Sequence, residues 1–333
     1  MANRFGNQYR IAIGKETSYG SGFTQTTGGP NPVGSVAWTD LLVHSGVINM
    51  TPTINTAATT YKSGLTVSHP CEEVQTTTMG NVTVSGDASL AILEKYIGGV
   101  MVERAFPPAM VFPANTADIP SFVLYQIWDD APSEGKKFKV NRVKGAKLQQ
   151  LVITGSQGGL IQFEATFETQ TVEREVEQSI TDTDPGRRCG TPLQFGDVIA
   201  SLAMGNEATA LDTFSITFTN EFTADASKFA NNMTLFNPHI IKQGGEISYT
   251  CNYDSAGAEK NLSIISDPTT INVDTITIMS RMDCFQAIIT SIATSLDLPD
   301  VERDYFKLNY TGRIISDGAN HIPKVNIIIA KPD

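Results

Sequence analysis

The stretch "QQLVITGSQGGLIQFEATFETQ", residues 149 to 170, turns back at a glycine-rich tip and alternates along its return leg. Ile161, Phe163, Ala165 and Phe167 are apolar, while Gln162, Glu164, Thr166 and Glu168 between them are polar. Successive strand side chains point to opposite faces, so the pattern specifies a hairpin with one oily face and one acidic, hydroxyl-bearing face. The polar side is the unusual one. From Glu164 to Glu177 there are five glutamates against Arg174 alone.

The rest of the chain extends this theme. Its 333 residues suffice for about two domains at the usual ~150 residues each, and a 41% hydrophobic content fills two cores. With 24 Lys and Arg against 35 Asp and Glu, the net charge of −11 disfavours a surface that grips nucleic acid and favours solubility by self-repulsion. The N-terminus lacks an apolar run of signal-peptide length, and no stretch approaches the ~20 apolar residues of a membrane span, so synthesis in the cytoplasm with no membrane partner is expected. Cys71, Cys189, Cys251 and Cys284 are too dispersed for a zinc knuckle or a redox pair and read as reduced thiols.

Alternation recurs in "TFSITFTNEF" from Thr213 and "GEISYTCNYD" from Gly245, and β-branched runs occur in "VINMTPTINT" and "KVNIIIAKP". The expected fold class is all-β with one or two short helices, arranged as two tandem β-sandwich domains. Residues 1–40, rich in Gly, Ser, Thr and Pro, read as an arm. Residues 41–175 form the first domain, with a helix over 87–98 capped by Asp87. The charged segment 176–190, closed by Pro185-Gly186, reads as a linker, and 191–333 form the second domain. The polar stretch from Thr59 to Gly80 reads as an extended loop or projecting hairpin.

Signals for chemistry are weak. His44, His69, His239 and His321 stand apart, without a second ligand at metal spacing. Asp182 and Asp184 are followed by Pro185, Gly186 and Arg187 where a calcium loop supplies further oxygens. Asp129 and Asp130 are adjacent, so on a strand they point apart. "SEGKK" lacks the glycine spacing and the Ser or Thr of a phosphate loop. No cofactor, metal or catalytic set is expected.

The segments "IAIGKETSYGSG" from Ile11, "LQQLVITGSQGGLIQFEATFETQT" from Leu148 and "DTFSITFTNEF" from Asp212 follow one another in an order that resembles the tail tube proteins of long-tailed bacteriophages. The resemblance implies a non-enzymatic virion protein, assembled in the host cytoplasm, whose stacked rings form a hollow tube for double-stranded DNA. Its sheets would join across subunits into a barrel. Partners would be further copies of itself, a tape-measure protein, tip or baseplate proteins and a terminator. Two domains per chain favour a ring of three chains, with six as the alternative. On this reading Gln162, Glu164, Thr166 and Glu168 face the lumen, and Tyr61, Lys62, Leu65, Val67, Glu72 and Glu73 belong to an inter-subunit loop. The rival expectation is a soluble β-sandwich binding module of a phage or cell surface, carbohydrate-binding or adhesin-like.

Overall fold

The computed structural model describes residues 9–21, 35–36, 41–58, 73–104, 109–113, 119–128, 137–180, 187–188, 190–201, 208–209, 211–222, 229–230, 234–235, 238–252, 264, 266–267, 271–279, 284–297, 307–316 and 323–330. The first strands are β1 (Tyr9–Lys15), β2 (Ser35–Val36), β3 (Leu42–His44), β4 (Val47–Ala58) and β5 (Glu73–Asp87), followed by helix α1 (Leu90–Ile97). Next come β6 (Val102–Arg104), β7 (Ala109–Val111), β8 (Phe122–Trp128), β9 (Lys137–Ser156), β10 (Gln162–Thr169), β11 (Thr171–Ile180) and β12 (Arg187–Arg188). A 3-10 turn at Phe195–Asp197 leads into β13 (Val198–Ser201), β14 (Ala208–Thr209), β15 (Leu211–Phe222), β16 (Phe229–Ala230) and β17 (Thr234–Leu235). The chain closes with β18 (Ile240–Asn252), β19 (Asn272–Met279), β20 (Cys284–Asp297), β21 (Lys307–Ile314) and β22 (Val325–Ala330). The described residues form an all-β fold with the short helix α1, as the alternating sequence requires.

Strand β9 organises the molecule because it serves two sheets. Its first part pairs with β8 and β11, extending a sheet ordered β3–β1–β8–β9–β11. Its second part lies between β10 and β15, in a sheet running β4–β5–β10–β9–β15–β18–β21. The change of sheet falls at Gly145, whose φ of 62° is a left-handed conformation that suits glycine. A Cβ there would also meet the side chains of Gln170 and Tyr19.

Beyond β21 the second sheet continues through β20 and β19 to β13. Just before β13, Leu193–Phe195 hydrogen-bonds back to Ala88, Gly159 and Ile161. The sheet therefore curls round an apolar interior that includes Phe163, Phe214, Phe218, Ile247, Ile276 and Phe285. One contiguous core runs from Ile11 to Ile327, so the two halves share both a sheet, through the β9–β15 ladder, and a core.

Three boundaries differ from the sequence expectation. The arm assigned to 1–40 contains β1, whose Ile11, Ala12 and Ile13 are fully buried, because its short apolar run sits between two partners, β3 and β8. The helix starts at Leu90 with Ser89 as N-cap, accepting from the Ile92 N–H. Asp87 instead ends β5 opposite Gln162. The segment assigned as a linker from 176 begins as strand, since β11 pairs with β9 through Ser179, and its charged residues do not prevent the backbone ladder.

A hydroxyl-rich sheet face as the candidate functional site

The opening hairpin forms as its pattern dictates. Phe163, Ala165 and Phe167 are buried, Gln162 and Glu164 are exposed, and Thr166 and Glu168 are half-buried. Registers extend this polar face across seven strands in continuous rungs. One rung reads Val47, Ser85, Glu164, Val152, Thr217, Glu246, Arg313. The rung on one side reads Asn49, Thr83, Thr166, Gln150, Thr219, Gly244, and that on the other reads Asp87, Gln162, Thr154, Ser215, Ser248, Thr311. A fourth, shorter rung holds Ser156, Thr213, Thr250 and Asn309, where the Thr250 hydroxyl donates to Asn309 Oδ1 at 2.8 Å.

At ~4.8 Å between strands, seven strands make a surface roughly 29 Å wide. Threonine and serine dominate it. Charges are sparse: Glu164 lies near the middle with Asp87 on the adjacent rung, Arg313 on β21 sits in register with Glu246, and Lys242 on β18 sits in register with Glu221. Lys307, also on β21, forms an ion pair with Asp212 at 2.9 Å. Among the described residues of its rung, Glu164 lies four strands from Arg313, roughly 19 Å, which exceeds the ~8 Å Debye length at physiological salt.

A fifth rung, Thr51, Asn81, Glu168, Lys147, behaves differently. A β-bulge between Thr166 and Phe167 shifts the β10–β9 register, yet Lys147 remains on the same side as Glu168. Lys147 is buried, its Nζ donating to the Pro238 carbonyl at 3.0 Å and lying 5.8 Å from the centre of the Tyr19 ring. Burial lowers its pKa to about 8, partly offset by the charge of Glu168. Burial raises the pKa of Glu168, with Lys147 opposing. The Tyr19 phenol is pushed well above its ordinary value by burial and by the charges of Glu168 and Glu16.

Tyr19 belongs to a short strap, residues 16–21, that crosses the bend of β9. Glu16, itself buried, holds it: Oε1 accepts the Gly145 N–H at 3.1 Å and Oε2 accepts the Gly20 N–H at 3.0 Å. Gly20 has a φ of 72° and faces the Gln170 side chain so closely that a Cβ would not fit.

The four residues expected to share one function thus divide. Gln162 and Glu164 lie open, Thr166 is intermediate, and Glu168 lies at the strapped end beside a cation. The wider face, from Ser85 to Thr311, was not singled out in the sequence; its signal is the hydroxyl at every second position of β15, Thr213, Ser215, Thr217 and Thr219. Of the expected inter-subunit loop, Tyr61, Lys62, Leu65, Val67 and Glu72 fall outside the described residues, and Glu73 opens β5. Residues Glu73–Met79 pair with β4, whereas the β10 ladder begins at Gly80. The β4–β5 hairpin therefore extends about 24 Å past the β10 ladder at ~3.4 Å per residue.

Elsewhere the titratable groups serve packing. Glu173, in the glutamate-rich run, accepts from Arg142 Nε at 2.7 Å and pairs with Lys144 at 2.6 Å. Its pKa falls because these cations outweigh the effect of burial. Buried Asp274 accepts from the Ser291 hydroxyl at 3.0 Å, and that hydroxyl is 2.9 Å from Tyr310. His44 is buried in contact with Tyr96 and Phe163. Among the described residues, no group of three His, Cys, Asp or Glu side chains could hold a metal ion, and no helix is long and apolar enough to cross a membrane. No protein-family model matches the chain, and no curated protein matches it.

Proposed function

We propose that the protein is a structural subunit of a hollow phage tail tube and that the seven-stranded hydroxyl-rich face is its lumen wall. The observation that carries this reading is the composition of that face: wide, continuous in register, rich in threonine and serine, with its cations, Arg313 and Lys307 on β21 and Lys242 on β18, each set beside an acid. A surface over which DNA must slide cannot offer rows of lysine and arginine, because each phosphate neutralised by the wall would release counterions and hold the duplex. Hydroxyls in water present no such net attraction.

Strand β4 supports the assembly part of the reading. It spans twelve residues, Val47–Ala58, carries no charged side chain, and pairs on one side with β5. Edges of that length are normally blunted by charged side chains, proline or bulges; β4 carries Pro52 and a register shift between Asn55 and Thr56 but no charge, and its run from Val47 to Thr51 is suited to continuing the sheet into another copy. The projecting β4–β5 hairpin supplies reach toward a neighbour. Three chains per ring, each giving two sandwich halves, is the favoured arrangement, within a virion.

Electron microscopy of the purified full chain tests the proposal. Rings or tubes are expected, and averaged end views give the copy number. Dispersed monomers at every concentration and salt would refute the tube. A binding module gains little support, since the large hydrophobic residues exposed among those described are aliphatic or Met (Val47, Leu160, Ile199, Ile241, Ile271, Met279) and offer no aromatic platform for sugar stacking.

A further inference from the structure

Lys147 is a costly residue in its position. It sits on the lumen-side rungs, on the central strand β9, yet is 2% exposed, with a backbone carbonyl and an aromatic ring as its near partners. An ammonium withdrawn from water without an ion pair destabilises a fold, and replacement by an apolar side chain would normally be selected for stability alone. Its roof carries a second cost. The Tyr19 hydroxyl is buried, and no hydrogen-bond partner for it is found among the described residues. Among what holds the roof down are one carboxylate, Glu16, bonded to two backbone N–H groups, one in the strap and one at the β9 bend, and the Glu16 N–H, which donates to the Ser121 carbonyl at 2.9 Å.

We infer that the strap of residues 16–21 is a lid, latched by Glu16, that conceals Lys147 from the hydroxyl-rich face and converts that face from phosphate-indifferent to phosphate-binding when it opens. Opening the strap at the two hydrogen bonds of the Glu16 carboxylate returns the ammonium to water and gives the Tyr19 phenol a water partner, so the two buried costs are relieved together. Arg313 and Lys307 on β21 and Lys242 on β18 each lie beside an acid, Glu246, Asp212 and Glu221, so Lys147 is the cation that the middle strand β9 can add to the face. The ligand chemistry is a phosphodiester backbone, and this consequence rests on the lumen reading; concealment of the lysine does not.

The test is residue-resolved acetylation of the native full chain, read by mass spectrometry, with exposed Lys242 as internal reference. Lys147 is expected to react about 100-fold more slowly than Lys242, at a rate insensitive to urea below the unfolding transition, as local opening requires. Glu16→Ala should accelerate Lys147 by about tenfold or more and leave Lys242 unchanged. A Lys147 rate that rises with urea in step with global unfolding overturns the lid, and so does an unchanged rate in folded Glu16→Ala. If circular dichroism shows that variant unfolded, the urea dependence of the wild type decides. A double-stranded DNA fragment at low salt probes the open state: retention by Glu16→Ala, lost in Glu16→Ala/Lys147→Met, is expected. Faster acetylation without retention overturns the phosphate-binding state while leaving tube formation, read by microscopy, untouched.

Discussion

Acidification should unlock the packing of α1 through His44, and the size of the effect follows from its surroundings. The imidazole is buried, with Nδ1 3.0 Å from the Ser45 carbonyl and Nε2 2.9 Å from the Tyr96 hydroxyl. A carbonyl only accepts, so Nδ1 carries the proton and Nε2 accepts from Tyr96 in the neutral ring. Burial lowers the His44 pKa from 6.5 to about 4, with the Ser45 carbonyl opposing. Between these values the unfolded chain binds the proton and the native chain does not, so stability falls as pH falls from 6.5 toward 4. At 1.36 kcal/mol per unit the loss is about 3 kcal/mol, a large part of a typical margin of ~5–15. His44→Phe keeps an aromatic ring against Tyr96 and Phe163, which lie at 5.8 Å between centroids in the native protein. It leaves the Tyr96 hydroxyl without its acceptor, a pH-independent cost of ~1–3 kcal/mol. Urea unfolding of both proteins across this window therefore gives curves that converge or cross as pH falls, since other groups titrate equally in both. A wild-type minus variant difference that stays constant from pH 6.5 to 4 would refute the assignment.

Three further outcomes follow from the same geometry. Lys147→Met should stabilise the fold at neutral pH by up to about 3 kcal/mol less the lost Pro238 bond, because a folded pKa of about 8 against 10.5 penalises the charged form; chemical denaturation should show the gain shrinking above pH 8 and gone near 10.5. Glu164→Lys should leave ring or tube assembly intact, because the side chain is exposed, but make the assembled protein retain double-stranded DNA at low salt and release it at high salt; retention equal to wild type would remove Glu164 from the lumen. Gly145→Ala should cost more than the ~1 kcal/mol usual for a left-handed position, since the added methyl also meets Gln170 and Tyr19, and thermal unfolding measures it.

Local pattern was legible and long-range consequence was not. The hairpin of β9 and β10, the alternation of β15 and β18 and the presence of a helix near Leu90 could be read because each depends on neighbours within a few residues. β1 could not, because a short apolar run beside a Gly- and Ser-rich segment acquires its meaning from β3 and β8, distant in sequence. "KGAKLQQ" reads as a solvated strand end, yet Gly145 turns β9 into a second sheet there and the bulge before Phe167 brings Lys147 under the strap. The glutamate-rich run misled in the same way. Glu173 is held by Arg142 and Lys144, and Glu168 shares its rung with Lys147, so Glu164 is the open carboxylate of that hairpin.

That redistribution changes the physics expected of a lumen. An acidic wall would act by repulsion, but Glu164 and Glu246 lie three strands apart, roughly 14 Å and beyond the ~8 Å screening length at physiological salt, with Asp87, diagonally across on the next rung, the nearer acid to Glu164. Isolated carboxylates at that spacing raise no continuous barrier. What the face offers instead is the near absence of attraction: hydroxyls and amides open to water or bonded to one another, as in the Thr250–Asn309 rung, and cations set beside acids. A duplex in contact with such a wall gains nothing by stopping, and a strong field of either sign would serve it less well, since repulsion would cost energy during entry and attraction would cost it during exit. On this account one exposed lysine on the central strands matters more than one lost glutamate. Glu164→Gln should therefore pass DNA nearly as the native protein does, whereas Glu164→Lys should not, and equal impairment by both substitutions would mean that repulsion, not indifference, is the working principle of the wall.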